Sequence, residues 1–501
     1  MRLSPTDARN LEFAKIAPRI LAEGLLEMPV LVSERSLQDS TDKLAQHAHS
    51  VISTGYTPVK EVIVMPKRGH GLRPISVLSP TSRLIYEAIV AKLSPSLPTR
   101  SREQPFDEYK SYGTGADGPN QNDDEVRVVD LDIVAFYEYV DHGVLFEEIL
   151  TLSLDPTYST ALRDLLGEIF PRGLGLPQAM NASHVIADAY LDRMSRVITR
   201  NGYEHKRYAD DFRIIAPNWQ SAHHAIEIAI HAAREVGLTL ADSKTSIRNP
   251  QNIREEINDF ENSLKPYREA AADGLRSLQF VSAGYDDFDL VEVDAPEDEV
   301  DYAALASLVD DWLASDHETP SRLARFVGPA LKRLRDADTI LPTDTLVKIV
   351  MRDPTRMRSV LGYLSVWESD ADSWQALNRL SALPRTSPWS RSWLLSQAVE
   401  FEATDCEGRQ AFVSWARGQL QDPLEVVRAE AAWFLAVAGE ISEGELLSAL
   451  ISASEITQCG IAAAVGRFDT RRGERSKVGK AARQESPLVK AAYDWGVAND
   501  R

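Results

Sequence analysis

Residues 206–213 read KRYADDFR, with Asp210 and Asp211 adjacent between Ala209 and Phe212. Neighbouring carboxylates repel each other, and an apolar strand gains nothing by carrying them. Hard divalent cations such as Mg²⁺ take carboxylate oxygens, so such a pair suits a metal site. A plain surface hairpin would hold the same string, so its surroundings have to decide. Upstream, VVDLDIVAF (128–136) is an apolar run broken by Asp130 and Asp132. An acid near the end of a core strand is costly unless it is paired or metal-bound. Asp130 also suits an edge or a helix cap, whereas Asp132 opens a longer pattern.

The elements that must hold these residues follow from the flanks. KRYA and FRIIA are rich in residues that favour strands, and Asp favours turns, so 206–216 predicts two short strands joined at the aspartates. The segment PKRGHGLRP (66–74) places Lys67, Arg68 and Arg73 on a glycine-containing hairpin, a basic turn fit for phosphate. With 501 residues the chain exceeds one ordinary domain. Its two cysteines, Cys406 and Cys459, form no CxxC pair, which argues against a disulfide framework or a structural zinc and fits a reducing, cytoplasmic setting. No apolar run has transmembrane length, and the first twenty residues are charged and periodic rather than signal-like. The net charge is −20, with most of the excess acid after residue 250. Such a chain is a poor general binder of nucleic acid, so a polyanion must be met by a local basic patch or by metal ions.

The ordered motifs resemble the reverse transcriptase family. D-I-x-x-F-Y-x-x-V-x-H-x-x-L from Asp132, then GLPQAMNAS (175–183), YADDF, and REVGLTLADSKTSI (234–247) follow its palm motifs A to D, and residues 65–90 resemble its fingers motifs. The resemblance covers roughly residues 20–250 and implies nucleotidyl transfer with two Mg²⁺ ions, Mn²⁺ being an alternative, about 3.5–4 Å apart. By that resemblance Asp132 and Asp210 bind both ions, Asp211 assists, and the backbone carbonyl of Ile133 touches the nucleotide-side ion. Lys67 and Arg73 hold the triphosphate of a dNTP, Phe136 and Tyr137 bound its sugar, and Tyr137 excludes a ribose 2′-OH. Gln178 meets the nascent pair, and Lys244 is a general acid or simply a solvated lysine. Many relatives carry glycine where this chain has Ala179, which puts template handling in question.

The chain divides on this reading into fingers and palm (1–255), an acidic linker or edge (256–300) and an all-α domain (301–501), an α+β right-hand polymerase followed by a helical solenoid. Turns at Pro354, Pro388, Pro423 and Pro487 each open an amphipathic helix, and DPLEVVRAEAAWFL resembles a HEAT repeat. A palm without a recognisable thumb, followed by a HEAT-like domain, resembles the abortive-infection and unknown-group reverse transcriptases of phage defence. This resemblance implies RNA-directed or template-independent DNA synthesis, an RNA template or noncoding RNA partner, a trimer or hexamer, and a DNA product attached to a protein hydroxyl. Tyr56, Tyr109 and Tyr112 are candidates for that hydroxyl. The alternatives are an inactive palm serving as a scaffold for a protein partner, or a retron or group II intron enzyme, which the acidic helical half fits poorly.

Overall fold

The computed structural model describes residues 1–67, 71–98, 105–114, 125–275, 277–284, 287–293, 297–315, 322–335, 341–367 and 370–499. Its strands are β1 (Lys60–Pro66), β2 (Leu72–Leu78), β3 (Arg127–Leu131), β4 (Glu204–Tyr208), β5 (Asp211–Ala216), β6 (Ser246–Arg248), β7 (Ser277–Gly284) and β8 (Asp287–Val293). β1 pairs with β2, β7 pairs with β8, and the other four form one sheet in the order β4-β5-β3-β6. All its pairings are antiparallel. Past Val293 the described regular structure is helical, as the α+β expectation requires.

The four-stranded sheet owes its position to alternation. Val129, Leu131, Phe212 and Ile214 are buried, and the helices Asn181–Arg200 and Trp219–Glu235 pack on the sheet. The side chains between them, Asp130 and Asp132 on β3 and its end and Asp211 and Arg213 on β5, share the opposite face, since a strand has period two. The β7–β8 hairpin falls where the acidic linker was expected. Its strands pair over Ser277–Val293.

The chain separates into two compact units whose boundaries differ from the expected ones. The first contains residues 1–64, 74–257 and 417–501; the second contains 65–73 and 258–416. In the first unit the helices past residue 417 pack directly on the N-terminal helices. Gly460, in the helix Gln458–Arg472, lies so close to the short helix Val32–Arg35 that an added Cβ would stand 2.6 Å from Val32 Cγ1. The Glu61 carboxylate accepts the backbone N–H groups of Glu425 (2.9 Å) and Val426 (3.0 Å), at the start of the helix Glu425–Ala438. Within that helix, buried Glu430 accepts the Val32 N–H at 2.7 Å. Partners nearly four hundred residues apart leave no periodic trace, which is why the sequence reading assigned all of 301–501 to one domain.

Candidate active site

β4 and β5 form a hairpin whose register pairs Tyr208 with Asp211, leaving Ala209 and Asp210 in the turn. Ala209 has φ +53°, a left-handed conformation that side chains other than glycine rarely adopt. β3 and β5 pair Asp130 with Arg213 and Leu131 with Phe212. Continuing that register by one residue sets Asp132 opposite Asp211 where the strands end. The two carboxyl groups, from different strands, therefore meet where the two inner strands of the sheet end.

Asp132 is buried, and Asp210 and Asp211 are half-buried. Burial is the main cause that lifts the Asp211 pKa to about 7; the charges of Asp210 and Asp132 and a hydrogen bond with Asp132 add to it, and Lys244 opposes it. Three acids held this close call for positive charge. Here the Lys244 ammonium supplies it, with Nζ 2.7 Å from Asp132 Oδ2. That bond is the largest influence raising the Lys244 pKa. Lys244 reaches this place because the segment before it runs beside the end of β3: Val134 N–H donates to Thr239, Ala241 N–H donates to the Asp132 carbonyl (2.8 Å), and Ile133 bridges Leu240. The donor set fits divalent magnesium or manganese, being all carboxylate and crowded enough to need a cation. Among the described residues no three acidic, histidine or cysteine side chains are already closed around an ion position.

Asp130 has a different duty. Arg213 Nε donates to it at 2.6 Å, and Arg248 also bonds it. Arg213 further donates to the carbonyls of Tyr109 (3.0 Å) and Lys110 (2.9 Å), fastening the helix Pro105–Ser111 to the sheet. Asp130 is thus a paired structural acid.

The remaining expected residues fall in two groups. Phe136 is buried against Tyr190 (6.3 Å between centroids) and Tyr137 (5.2 Å), and half-buried Tyr137 also meets His184 edge-on at 6.1 Å. Motif A is latched to motif B by backbone bonds: Leu176 N–H donates to the Tyr137 carbonyl and Gly175 N–H to the Val140 carbonyl, both at 2.8 Å. Gln178 and Ala179 form the turn before the helix Asn181–Arg200, with Gln178 half-buried and Ala179 at φ +64°. Ala179 thus keeps a conformation natural to the glycine of many relatives, and its carbonyl accepts the Leu26 N–H at 3.2 Å. Buried Ile133 sits beside Asp132. Lys67 and Arg73 belong to the second unit, where Lys67 N–H closes its hairpin on the Gly71 carbonyl. Arg68 lies outside the described residues.

Sequence reasoning overlooked Arg207 and Asp188. Arg207 stands inside the quoted stretch KRYADDFR and is buried, as is Asp188. Arg207 follows Lys206 in a polar strand, EHKRY, so its burial left no signal in the sequence.

Residues 65–278 match the family described as reverse transcriptase (RNA-dependent DNA polymerase). No curated protein sequence matches the chain. Among solved structures, telomerase from Candida albicans in complex with a fragment of telomeric RNA overlaps it with a TM-score of 0.28 at 11% identity, covering 72% of this chain and 64% of that one. Telomerase from Candida tropicalis gives 0.29 at 12% identity in its RNA-fragment complex, covering 75% and 68%, and 0.29 at 10% identity in its apo form, covering 87% and 67%. These overlaps are too low to carry an argument, so the weight rests on the matched segment and on the acids it encloses. With motifs A to D in order and their acids gathered where β3 and β5 end, residues 65–278 form a reverse transcriptase domain, of the nucleotidyltransferase type.

Proposed function

We propose that the chain is a DNA polymerase that extends a 3′-OH with dNTPs at Asp132, Asp210 and Asp211, in the setting of antiphage defence. The observation that carries the reading is the opposition of Asp132 and Asp211 at the ends of β3 and β5, with Asp210 in the adjoining turn. Bound divalent ions would supply Lewis acidity to the attacking oxygen and charge neutralisation to the triphosphate. The three carboxylates would hold them, together with the Ile133 carbonyl. By the family resemblance Lys244, which stands beside Asp132, would be the general acid to departing pyrophosphate. Tyr137, braced by Phe136 and His184, would face the sugar edge and disfavour ribonucleotides. The assignment of Lys67 and Arg73 to the triphosphate and of Gln178 to the nascent pair rests on the family resemblance alone. The defence role, the RNA template or noncoding RNA partner, the trimeric or hexameric assembly and the HEAT-like character of the helical half rest on the family resemblance.

For a protein-linked product the candidates now differ. Tyr56 is buried, with its hydroxyl engaged by Ser82 (2.7 Å) and Glu455 (2.9 Å), and Tyr112 is buried. Tyr109 is half-buried, with its ring 6.2 Å from that of Tyr208. Burial first, then the charges of Asp130 and Asp211, raise its hydroxyl pKa, so it lies within electrostatic reach of the site. Tyr109 is the tyrosine we favour.

One experiment addresses these points: labelled dNTPs with Mg²⁺, with and without poly(rA)–oligo(dT), resolved on a denaturing gel. Incorporation is expected from the wild type and its loss, by many orders of magnitude, from Asp210→Ala/Asp211→Ala. A double variant that incorporates label like the wild type sinks the polymerase reading. Nuclease-sensitive label that stays with the boiled protein supports the covalent product, and label confined to free nucleic acid removes it.

A further inference from the structure

Arg207 is the penultimate residue of β4, two positions before the turn that carries the catalytic acids. Its guanidinium is nearly inaccessible, with 1% of the side chain exposed, and its partner Asp188, on the helix Asn181–Arg200, is 7% exposed. Arg207 NH1 donates to Asp188 Oδ1 at 2.9 Å and to the Ala209 carbonyl at 2.7 Å. NH2 points to the Asp188 carbonyl at 3.4 Å. The guanidinium carbon also lies 5.8 Å from the Phe212 ring, on the strand leaving the turn. One planar cation therefore touches the helix behind the sheet, the turn itself, and the strand beyond it.

The residue it grips is itself strained. Ala209 sits at φ +53°, where an L side chain crowds its own backbone, and such a conformation persists only when its surroundings impose it. The Ala209 carbonyl belongs to the peptide that leads directly into Asp210. Its bond to Arg207 fixes that peptide plane, and with it the direction in which Asp210 and Asp211 leave the turn. Arg207 is fixed in turn by Asp188, which is anchored in the helix of motif B.

We infer that Asp188 and Arg207 are positioning residues for catalysis: a buried ion pair that holds the Ala209 peptide in its left-handed turn and so sets the carboxylates of Asp210 and Asp211 toward Asp132. This inference rests on the polymerase reading of that site. Neither residue touches substrate. Their contribution is orientation, so loss of the pair lowers the turnover rate and loosens the turn while leaving nucleotide affinity in place.

The test uses the full chain. Removing one partner strands a buried charge and endangers folding, so the informative variant replaces both with apolar residues of similar size, Asp188→Leu/Arg207→Met. Three quantities are read: the thermal midpoint, amide hydrogen exchange of residues 208–211 without added metal, and kcat and KM for dTTP on poly(rA)–oligo(dT) with Mg²⁺. The expected result is a cooperative melt close to wild type, faster exchange in the turn, kcat reduced about ten- to a hundred-fold, and KM within about two-fold. If the apolar pair fails to fold, Arg207→Lys decides, since it keeps the charge but loses the fork; faster exchange and a lower kcat than wild type are again expected. A folded variant with wild-type exchange and wild-type kcat overturns the inference. Asp210→Asn/Asp211→Asn serves as the control: if it is inactive while the Asp188/Arg207 variant is indistinguishable from wild type, only the positioning role fails. If the control is fully active, the polymerase reading fails, and the inference with it.

Discussion

Three alanines adopt positive φ at the heart of the palm: Ala135 at +44°, Ala179 at +64° and Ala209 at +53°. Each belongs to a different motif, A, B and C, and each sits within three residues of a proposed site residue. Left-handed backbone costs a non-glycine residue about 1–2 kcal/mol, so backbone strain is concentrated where the chemistry is proposed. Ala179 allows a direct check, because glycine relieves the strain and returns part of the gain as unfolded-state entropy. Ala179→Gly is expected to stabilise the protein by about 0.5–1 kcal/mol, read as a higher urea midpoint. A lower midpoint would mean that the alanine methyl is itself held by packing. At this scale the sequence was informative about the acids, because paired aspartates between apolar flanks contradict ordinary strand composition. It was silent on Asp188 and Arg207, whose meeting depends on a helix crossing behind the sheet.

At the scale of elements, acids from one segment repeatedly finish the helices of another. Glu61 closes the start of Glu425–Ala438. Glu425 does the same before Gln458–Arg472, accepting the Ser454 N–H at 2.8 Å and the Thr457 hydroxyl at 2.7 Å. Glu87 accepts the Ala182 N–H of the motif B helix at 3.3 Å. Glu430 is the costly member of this set. Burial raises its pKa to about 6, against the pull of Arg35 and the Val32 N–H. A carboxyl whose folded pKa exceeds its unfolded value keeps more protons when folded, so stability falls as pH rises from about 4.5 to about 6. Glu430→Gln removes this titration while keeping an oxygen for Val32. The variant is expected to gain on the wild type by about 1–2 kcal/mol between pH 4.5 and pH 7, measured by urea unfolding at both values. A difference that does not vary with pH would show that the carboxyl is ionised throughout. The sheet elements were legible because turn chemistry and period-two alternation are local. The capping acids were not, because a glutamate looks the same in sequence whether it faces water or the end of a distant helix.

At the scale of the whole molecule, residues 417–501 are built into the unit that holds Asp132, Asp210 and Asp211 rather than attached to it. The close approach of Gly460 to Val32 and the burial of Glu430 against the same helix leave an exposed apolar face when that segment is missing. A chain cut after residue 416 is therefore expected to lose the cooperative melt of its polymerase unit and to be recovered mainly as aggregate, seen by circular dichroism and size-exclusion chromatography. A soluble 1–416 fragment that melts like the full chain would contradict this. The helical nature of this half was readable from proline-opened amphipathic stretches. Its division between two units was not, since hydrophobic periodicity marks the face a helix buries and not the partner it buries it against.

The discontinuous first unit also has a consequence in time. Translation runs at about 5–20 residues per second, so about 10–50 s separate the emergence of residue 257 from that of residue 501. Through that interval the aspartates exist, but the helices that brace the N-terminal layer beside them do not. On the proposed function, a nascent chain would stay catalytically silent until those helices have emerged and packed. The onset of the proposed nucleotide joining would then be tied to the emergence of the helices past residue 417.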